Sequence, residues 1–291
     1  MIKKFFLLIM MLFICLSLTS CNDAKKKAEA EAPYNLGDIK TMQKKYEEAI
    51  VEYDKALKIY PEYKEAWNGK GAALSKLSKY DEAIKCYDKA IKLDNTYTKA
   101  MYNKGYAQKN LGRYDEAVKT FDEALKINPN LYPALANKGA ILKELGKSKE
   151  AMECFNKALE IAKDDWFSWF NKGTLLYNTG KYNEALDCYD KVVKLNPQSV
   201  EGLNAKGWTL YMLGKYKEAK ECYDKALYID SKFILALKNK GILLYKEGKY
   251  DEAIEYYDKV LKIEPDNMSV KDEKAIVIKA RNEKKTGNKG K

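Results

Sequence analysis

The sequence predicts an all-α protein built as a solenoid of seven two-helix units, and three observations support that prediction. Glycine, alanine and aromatic residues recur in register every 34 residues along most of the chain. The 291 residues include only six prolines and 16 glycines, which is too few for the many turns of a β protein. Apolar residues make up 46% and charged residues 33%, a composition typical of a chain that folds in water.

The N-terminal segment predicts an export signal and a membrane anchor. Two lysines precede an apolar run at 5–18, which is short for a membrane span and typical of a signal-peptide core. The run ends in Leu-Thr-Ser-Cys at 18–21, which resembles the lipobox of bacterial lipoproteins. The resemblance implies a cleaved signal peptide at 1–20 and diacylglycerol attachment at Cys21, with a short linker at 21–29. The alternative is an uncleaved membrane anchor.

Three columns of residues keep the 34-residue step, and such a period indicates a tandem repeat. The glycine column comprises Gly37, Gly71, Gly105, Gly139, Gly173, Gly207 and Gly241. The alanine column comprises Ala49, Ala83, Ala117, Ala151, Ala185, Ala219 and Ala253. The ring column comprises Tyr53, Tyr87, Phe121, Phe155, Tyr189, Tyr223 and Tyr257.

Each unit is predicted to form two helices, A and B, as residues 98–131 illustrate. Gly112 permits the left-handed conformation that ends helix A, and Pro129 disfavours helix in the residue before it and so ends helix B. A glycine inside a helix costs about 1 kcal/mol relative to alanine. The recurrence of Gly105 and its equivalents therefore predicts a close approach of helix A to the alanine column of helix B.

The columns resemble the tetratricopeptide repeat family. Residues at that family's spacing are Trp67, Gly71, Tyr80, Ala83, Tyr87 and Ala90, and also Gly105, Ala117, Phe121 and Pro129. The resemblance implies a right-handed α-solenoid that binds partners mainly on the concave surface lined by helix A. It places the repeats at 30–63, 64–97, 98–131, 132–165, 166–199, 200–233 and 234–267.

The remaining C-terminal residues predict a cap and a tail. A capping helix is expected at 268–283 because a terminal repeat otherwise exposes its stacking face. Val270, Ala275 and Ile278 are predicted to face the last repeat, whereas 272–274 are predicted to face solvent. The basic tail at 284–291 is predicted to be disordered.

One column departs from the family, which has leucine just before the glycine. Only Leu36 keeps that residue, and lysine replaces it in the other units at Lys70, Lys104, Lys138, Lys172, Lys206 and Lys240. We predict that these lysine stems pack between repeats and that their ammonium groups reach the edge, the alternative being a functional basic stripe. The Asp-Lys pairs that begin at Asp88, Asp190, Asp224 and Asp258 are interpreted as the solvated face of helix B.

Position 6, counted from the start of each unit, predicts contacts to a peptide backbone. It is asparagine at Asn35, Asn103, Asn137, Asn171 and Asn239, and it is Gly69 and Ala205 in the other two units. An amide both donates and accepts hydrogen bonds, so a row of them can hold an extended chain. The row resembles the asparagine ladder in the repeats of the O-linked N-acetylglucosamine transferase. The alternative is that asparagine is only common at this position in the family.

Aromatic residues at position 12 and at nearby positions on the concave side of helix A predict anchors for partner side chains. They are Tyr34, Tyr102, Tyr106, Phe167, Phe170, Tyr177, Trp208, Tyr211 and Tyr245. Binding surfaces favour such rings, although the rings could also simply pack on neighbouring repeats. Lys109 and Lys143 occupy position 12 in the middle of the series.

Several classes of function are excluded by residue types. The chain has no histidine, which removes imidazole catalysis and histidine metal sites. Cys86, Cys154, Cys188 and Cys222 share one repeat position, so they are predicted to be too far apart for disulfides and to act as small apolar residues. Lysine and arginine exceed the acids by 11, but only Arg113 and Arg281 are arginines, which disfavours nucleic-acid recognition. A co-chaperone carboxylate clamp is rejected because position 9 holds no asparagine.

The sequence therefore predicts a non-catalytic protein-interaction module. We expect a lipid-anchored adaptor outside the cytoplasm of a bacterium, at the cell membrane or the outer membrane, that holds an extended protein segment in its groove. No cofactor, metal, nucleic acid or small-molecule substrate is expected. The alternative is a structural subunit of an envelope, secretion or pilus assembly that makes contacts through its convex or edge surfaces.

Overall fold

The computed structural model describes the backbone of residues 2–287 and the side chains of residues 22–285. The side chain of Cys21 and those of the predicted signal peptide lie outside the described residues, as do the tail residues 288–291. The described part of the chain contains fifteen helices and no strand, which confirms the all-α repeat solenoid. It divides into two compact units, Met1–Leu145 (unit 1) and Gly146–Lys291 (unit 2).

Unit 1 contains seven helices that alternate between the predicted A and B types. They are α1 Ile2–Met42, α2 Tyr46–Ile59, α3 Lys64–Lys76, α4 Tyr80–Leu93, α5 Thr98–Asn110, α6 Tyr114–Ile127 and α7 Tyr132–Glu144. The linker predicted at 21–29 is instead part of α1, which runs without interruption into the first repeat. Where the structure describes the chain, no helix combines the length and the apolar character needed to cross a membrane.

Unit 2 contains eight helices and continues the alternation. They are α8 Ser148–Ile161, α9 Trp166–Asn178, α10 Tyr182–Leu195, α11 Val200–Met212, α12 Tyr216–Ile229, α13 Ile234–Lys246, α14 Tyr250–Ile263 and α15 Met268–Gly287. From α3 to α14, every A helix has 13 residues and every B helix has 14. The strict sequence period thus becomes a strict structural period.

The turn between helices A and B uses the left-handed conformation in every repeat. Five of these turns carry glycine with φ between 73° and 77°, at Gly112, Gly146, Gly180, Gly214 and Gly248. In the first two repeats Lys44 and Ser78 adopt the same conformation, each with φ of 60°. Residues other than glycine are strained at positive φ, so the backbone conformation of these two turns is unfavourable for the residues that adopt it.

The glycine of helix A packs against the ring of helix B rather than against the predicted alanine. A Cβ atom added at Gly105 would lie 2.7 Å from Phe121 Cε1, and one at Gly71 would lie 2.6 Å from Tyr87 Cε1. Phe121 and Tyr87 are fully buried. The prediction of a close helix contact is therefore correct, but its partner is the ring column, since a flat ring fills the space that a missing Cβ leaves.

The position-7 lysines form a series of pairs between consecutive repeats. Each ammonium donates to the residue sixteen positions earlier, on the preceding B helix. The pairs are Lys70–Asp54 (2.6 Å), Lys104–Asp88 (2.7 Å), Lys138–Asp122 (2.6 Å), Lys172–Asn156 (2.8 Å), Lys206–Asp190 (2.7 Å), Lys240–Asp224 and Lys274–Asp258 (2.5 Å). The lysines thus lie between repeats as predicted, but the aspartates are not merely solvated: they bind the next repeat.

We expect Asp224→Ala to have the largest effect in this series. Burial acts to lower the pKa of Lys240, but hydrogen bonds with Asp224 and Tyr256 outweigh it and raise that pKa above its usual value. The Lys240 side chain is 11% exposed, against 21% for Lys70. Loss of Asp224 leaves the more enclosed ammonium without its carboxylate and costs about 1–2 kcal/mol, whereas Asp54→Ala costs about 0–1 kcal/mol. Urea denaturation of both variants measures the difference, and equal midpoints would contradict the ranking.

The capping helix α15 keeps the register of an A helix, as the first helix of an eighth repeat would. Val270 and Val277 are buried against α13 and α14, whereas Ala275 is exposed, so the prediction for Ala275 was wrong. Lys274 continues the pair series and Glu273 accepts from Lys238 at 2.8 Å, so neither simply faces solvent as predicted. The helix also continues to Gly287, four residues beyond the predicted end of the capping helix at 283.

Candidate functional site

Positions 5, 6, 9 and 12 of the repeats carry most of the predicted binding residues, and we call their combined surface the helix A surface. Among the described residues, unit 1 and unit 2 each contain a cavity on this surface. The two cavities lie at equivalent places, between position 9, position 12 and the ring of one repeat and positions 5, 6 and 9 of the next. The repeat geometry therefore produces the same kind of opening twice, with different side chains around it.

The unit 1 cavity has a volume of about 480 Å³ and walls rich in hydroxyl groups. It is lined by Ala72, Ser75, Lys76, Ser78, Tyr80, Tyr87, Tyr102, Asn103 and Tyr106. Ser75 and the Tyr87 hydroxyl share a hydrogen bond of 3.0 Å at its floor. Tyr106 remains substantially exposed at its rim.

The unit 2 cavity has a volume of about 270 Å³ and is more aromatic. It is lined by Phe170, Thr174, Tyr177, Tyr189, Asn204, Ala205, Trp208, Thr209 and Asn239. Trp208 stacks on Tyr211 with a centroid distance of 5.1 Å and an interplanar angle of 9°. Its Nε1 donates to the Tyr177 hydroxyl at 2.5 Å, so these three predicted anchors form one cluster.

The predicted asparagine row is divided into different local arrangements. Asn103 Nδ2 donates to Asn68 Oδ1 at 2.9 Å, and Asn239 Nδ2 donates to Asn204 Oδ1 at 2.9 Å. Both donors line cavities, and both acceptors are position-5 residues just before the small residues that interrupt the row. In the sequence, the accepting asparagine at position 5 is followed by glycine or alanine at position 6, as in Asn68-Gly69 and Asn204-Ala205. A search of position 6 alone does not find these two asparagines.

The other members of the row are less available or lie elsewhere. Asn137 is 6% exposed and donates to the Pro133 carbonyl at 2.9 Å and to the Tyr102 hydroxyl at 3.4 Å. Asn171 is 5% exposed and donates to the Phe167 carbonyl at 2.9 Å. Asn35 is exposed on α1. The structure thus brings Asn103 and Asn239 to cavities, whereas Asn137 and Asn171 are buried and hydrogen-bonded within the protein.

The position-12 tyrosines pack on helix B of their own repeat and keep one side partly exposed. Their partners are the first residues of the B helices, in the pairs Tyr177–Tyr182 (5.2 Å), Tyr211–Tyr216 (5.4 Å) and Tyr245–Tyr250 (5.9 Å). Phe170 packs edge-on against Tyr189 at 5.8 Å. In unit 1, Tyr102 lies between Phe121 (6.1 Å) and Tyr106 (6.4 Å), and Tyr34 lies 4.9 Å from Tyr63.

The hydroxyl of Tyr223 is buried, and we expect its removal to stabilise the protein. In repeats 1, 2 and 5, residues at positions 9 or 12 bond the ring hydroxyl, as Asp38 and Thr41 bond Tyr53 at 2.6 Å and 3.2 Å. Repeat 6 has aromatic residues at both positions, and within the described residues the Tyr223 hydroxyl has no hydrogen-bond partner. We expect Tyr223→Phe to stabilise the protein by up to about 1 kcal/mol and Tyr53→Phe to destabilise it by a similar amount. Thermal denaturation tests this, and a loss of stability in Tyr223→Phe would contradict it.

The cysteines are located as the sequence predicts. Cys86, Cys154, Cys188 and Cys222 are buried thiols rather than disulfide sulfurs. Burial raises the pKa of Cys86 and of Cys188 to about 11, so neither is a thiolate at neutral pH. These thiols are structural residues of helix B.

This architecture of stacked helix pairs with openings on one helical surface defines a tandem-repeat interaction scaffold. The Tetratricopeptide repeat sequence model matches residues 65–97, 98–131, 132–165, 166–199, 200–233 and 234–267, and a further TPR repeat model matches 37–78. The chain belongs to the tetratricopeptide repeat family, whose members are generally non-enzymatic protein-interaction modules. No curated protein sequence matches this chain.

Solved structures of similar fold extend this comparison. YrrB, described as a TPR protein with an unusual peptide-binding site, is 27% identical, with a TM-score of 0.51 over 65% of this chain and 97% of its own. PilF of Pseudomonas aeruginosa is 20% identical, with a TM-score of 0.67 over 74% of this chain and 98% of its own. A chain of the APC/C hetero-tetramer Cut9–Hcn1 is 16% identical, with a TM-score of 0.69 over 78% of this chain and 45% of its own. The last two likenesses concern the fold alone.

Proposed function

We propose that this protein is a lipid-anchored adaptor outside the bacterial cytoplasm that binds an extended segment of a partner protein on its helix A surface. The observation that carries the proposal is the pair of equivalent cavities, each lined by aromatic rings and an asparagine amide. The core of each repeat already has its own ring on helix B, so these additional rings are not needed for packing alone. Aromatic anchors beside hydrogen-bonding amides are suited to a peptide.

The comparison with YrrB supports a peptide as the ligand, since YrrB is described as having a peptide-binding site. Asn103 and Asn239 are the amides best placed to contact a peptide backbone, because both line cavities. Phe170, Tyr177, Trp208 and Tyr211 are the side chains best placed to contact its residues. We therefore assign the backbone contacts to Asn103 and Asn239 rather than to the more buried Asn137 and Asn171.

Photo-crosslinking in cells tests the proposal. A crosslinking residue at Tyr211 lies beside the unit 2 cavity, whereas one at Lys191 lies on the exposed face of α10 in the same unit. We expect a discrete partner to be captured from Tyr211 and not from Lys191. Capture from Lys191 alone would contradict the adaptor and favour the structural-subunit alternative.

One observation favours that alternative as the second candidate. Large apolar side chains are exposed on the B helices, including Tyr228, which is 93% exposed on α12, and Val51 on α2. An assembly subunit would cover such residues with its neighbours. Substitution of Tyr228 and Val51 by serine would then impair assembly, while substitutions in the cavities would not.

The proposed anchor gives a separate prediction for Cys21→Ala. Because the acyl chains would be attached to the Cys21 sulfur, the variant should lose labelling by a radioactive fatty acid and should leave the membrane fraction. Cys86→Ala removes a thiol within a repeat and is the matched control, for which labelling should be unchanged. Retained labelling of Cys21→Ala would contradict the lipobox interpretation.

A further inference from the structure

Two lysines project from neighbouring A helices onto the helix A surface of unit 1. Lys109 on α5 and Lys143 on α7 both occupy position 12 of their repeats. The Lys109 ammonium donates to Asn137 Oδ1 at 2.8 Å and lies 5.6 Å from the centroid of the Tyr106 ring. Because Asn137 is itself tied to Pro133 and Tyr102, the Lys109 ammonium is held in place before any ligand binds.

The electrostatic environment of Lys109 favours an incoming negative charge. Burial lowers the pKa of Lys109, and the positive charge of Lys143 acts in the same direction, against an opposing contribution from Glu144. Two ammonium groups close enough to repel each other are both stabilised by a carboxylate placed between or beside them. Lys143 also contacts Glu144 at 3.3 Å on its own helix, and that acid remains 60% exposed.

The lysine pair is continuous with the unit 1 cavity. Tyr106, over which Lys109 lies, forms one wall of that cavity. Lys76 and the hydroxyl group of Ser75 line the opposite side, and none of the described residues that line the cavity is an aspartate or glutamate. The opening therefore combines cationic and hydroxyl donors with an aromatic wall.

We propose that unit 1 selects a partner segment that contains aspartate or glutamate, whose carboxylates contact Lys76, Lys109 and Lys143. The proposal rests on the proposed function and specifies the chemistry of the bound peptide. Lysine offers a compact point charge that pairs with single carboxylates, and the chain has only two arginines, the residue that planar recognition of nucleic acid favours. The arrangement uses position 13 of repeat 2 and position 12 of repeats 3 and 4, so it differs from the co-chaperone clamp, which needs lysine at position 5 and asparagine at position 9.

Selection from a phage-displayed library of nine-residue peptides tests the proposal with the full chain. The wild type should enrich peptides with two or more acidic residues, and the variant Lys109→Gln/Lys143→Gln should lose that enrichment. Lys126→Gln removes an exposed lysine from helix B of the same unit and is the matched control, which should select as the wild type does. Circular dichroism confirms that each variant folds.

The most enriched acidic peptide then gives a quantitative measurement. Its affinity should fall at least ten-fold in the double variant, change less than two-fold in Lys126→Gln, and fall with added salt because screening weakens charge pairs. Selected peptides without acidic residues, or acidic peptides that bind the double variant equally well, would overturn this inference and leave the proposed function standing. If no peptide is enriched while anionic vesicles or single-stranded DNA bind the wild type, both proposals fail.

Discussion

Gly105→Val should destabilise the protein by about 2 kcal/mol or more, because the added side chain must occupy space that the Phe121 ring already fills. The Cβ atom alone would approach Phe121 Cε1 at 2.7 Å and two further ring atoms at 2.9 Å. Phe121 is fully buried and packs on Tyr102, so the ring cannot swing away without disturbing the helix A surface. The helix propensity gained on replacing glycine is only a few tenths of a kcal/mol for valine and does not offset this clash.

The chain provides a matched control for this substitution. Ala275 occupies the same repeat position on α15, but it is exposed and no B helix follows it among the described residues. Ala275→Val should therefore change stability by less than about 0.5 kcal/mol. Urea denaturation followed by circular dichroism measures both variants, and Phe121→Leu should restore part of the stability lost in Gly105→Val. Equal midpoints for the two valine variants would show that the ring column does not require glycine.

Trp208→Ala should have the largest effect on partner binding, a loss of about 30- to 100-fold, which corresponds to about 2–3 kcal/mol. Trp208 lines the unit 2 cavity, stacks on Tyr211 and donates a hydrogen bond to Tyr177. Its removal takes away one wall and also releases the two neighbouring rings, so the surface loses both contact area and rigidity. This prediction depends on the proposed function.

Two further variants separate the contributions in this cluster. Trp208→Phe keeps an aromatic ring but loses the Nε1 donor to Tyr177, so its affinity should lie between those of the wild type and Trp208→Ala. Tyr228→Ala removes a ring from the outer side of the same unit, where it is 93% exposed, and should leave affinity unchanged. Calorimetric titration with the partner captured from Tyr211 measures all three. Binding that is impaired by Tyr228→Ala and not by Trp208→Ala would refute the cavity as the site.

The helices were predictable because the repeat leaves little freedom to local sequence. Each residue column has the same environment in all seven repeats, so an alanine or ring that recurs in every repeat must be a core residue. The left-handed turn at Lys44 and Ser78 shows the strength of this constraint, since non-glycine residues adopt the same strained conformation as the five glycines. The continuity of α1 was not predictable in this way, because 21–29 precede the repeat and share none of its columns.

The partners of individual side chains were harder to predict than the columns themselves. The ring column and the alanine column both keep a fixed spacing from the glycine column in the sequence. Only the folded repeat shows that the larger ring fills the space beside the glycine. The pairing of Lys70 with Asp54 spans sixteen residues and two repeats, so a helical wheel of one helix cannot reveal it. Similarly, a helical wheel places the position-6 asparagines in one column, but it does not show that Asn103 and Asn239 donate to the position-5 residues Asn68 and Asn204 of the preceding repeats.

The sequence by itself determined the repeat length, the seven helix pairs, their core columns and the family. It could do so because the same core positions recur in each of the seven repeats. It also indicated which helix surface carries extra aromatic rings. Only the tertiary structure decided where that surface opens, since a cavity depends on how residues of two consecutive repeats meet. Tyr106, Lys109 and Asn137 come into contact because helices α5 and α7 stand side by side, and that adjacency lies in the packing of repeats rather than in any single segment.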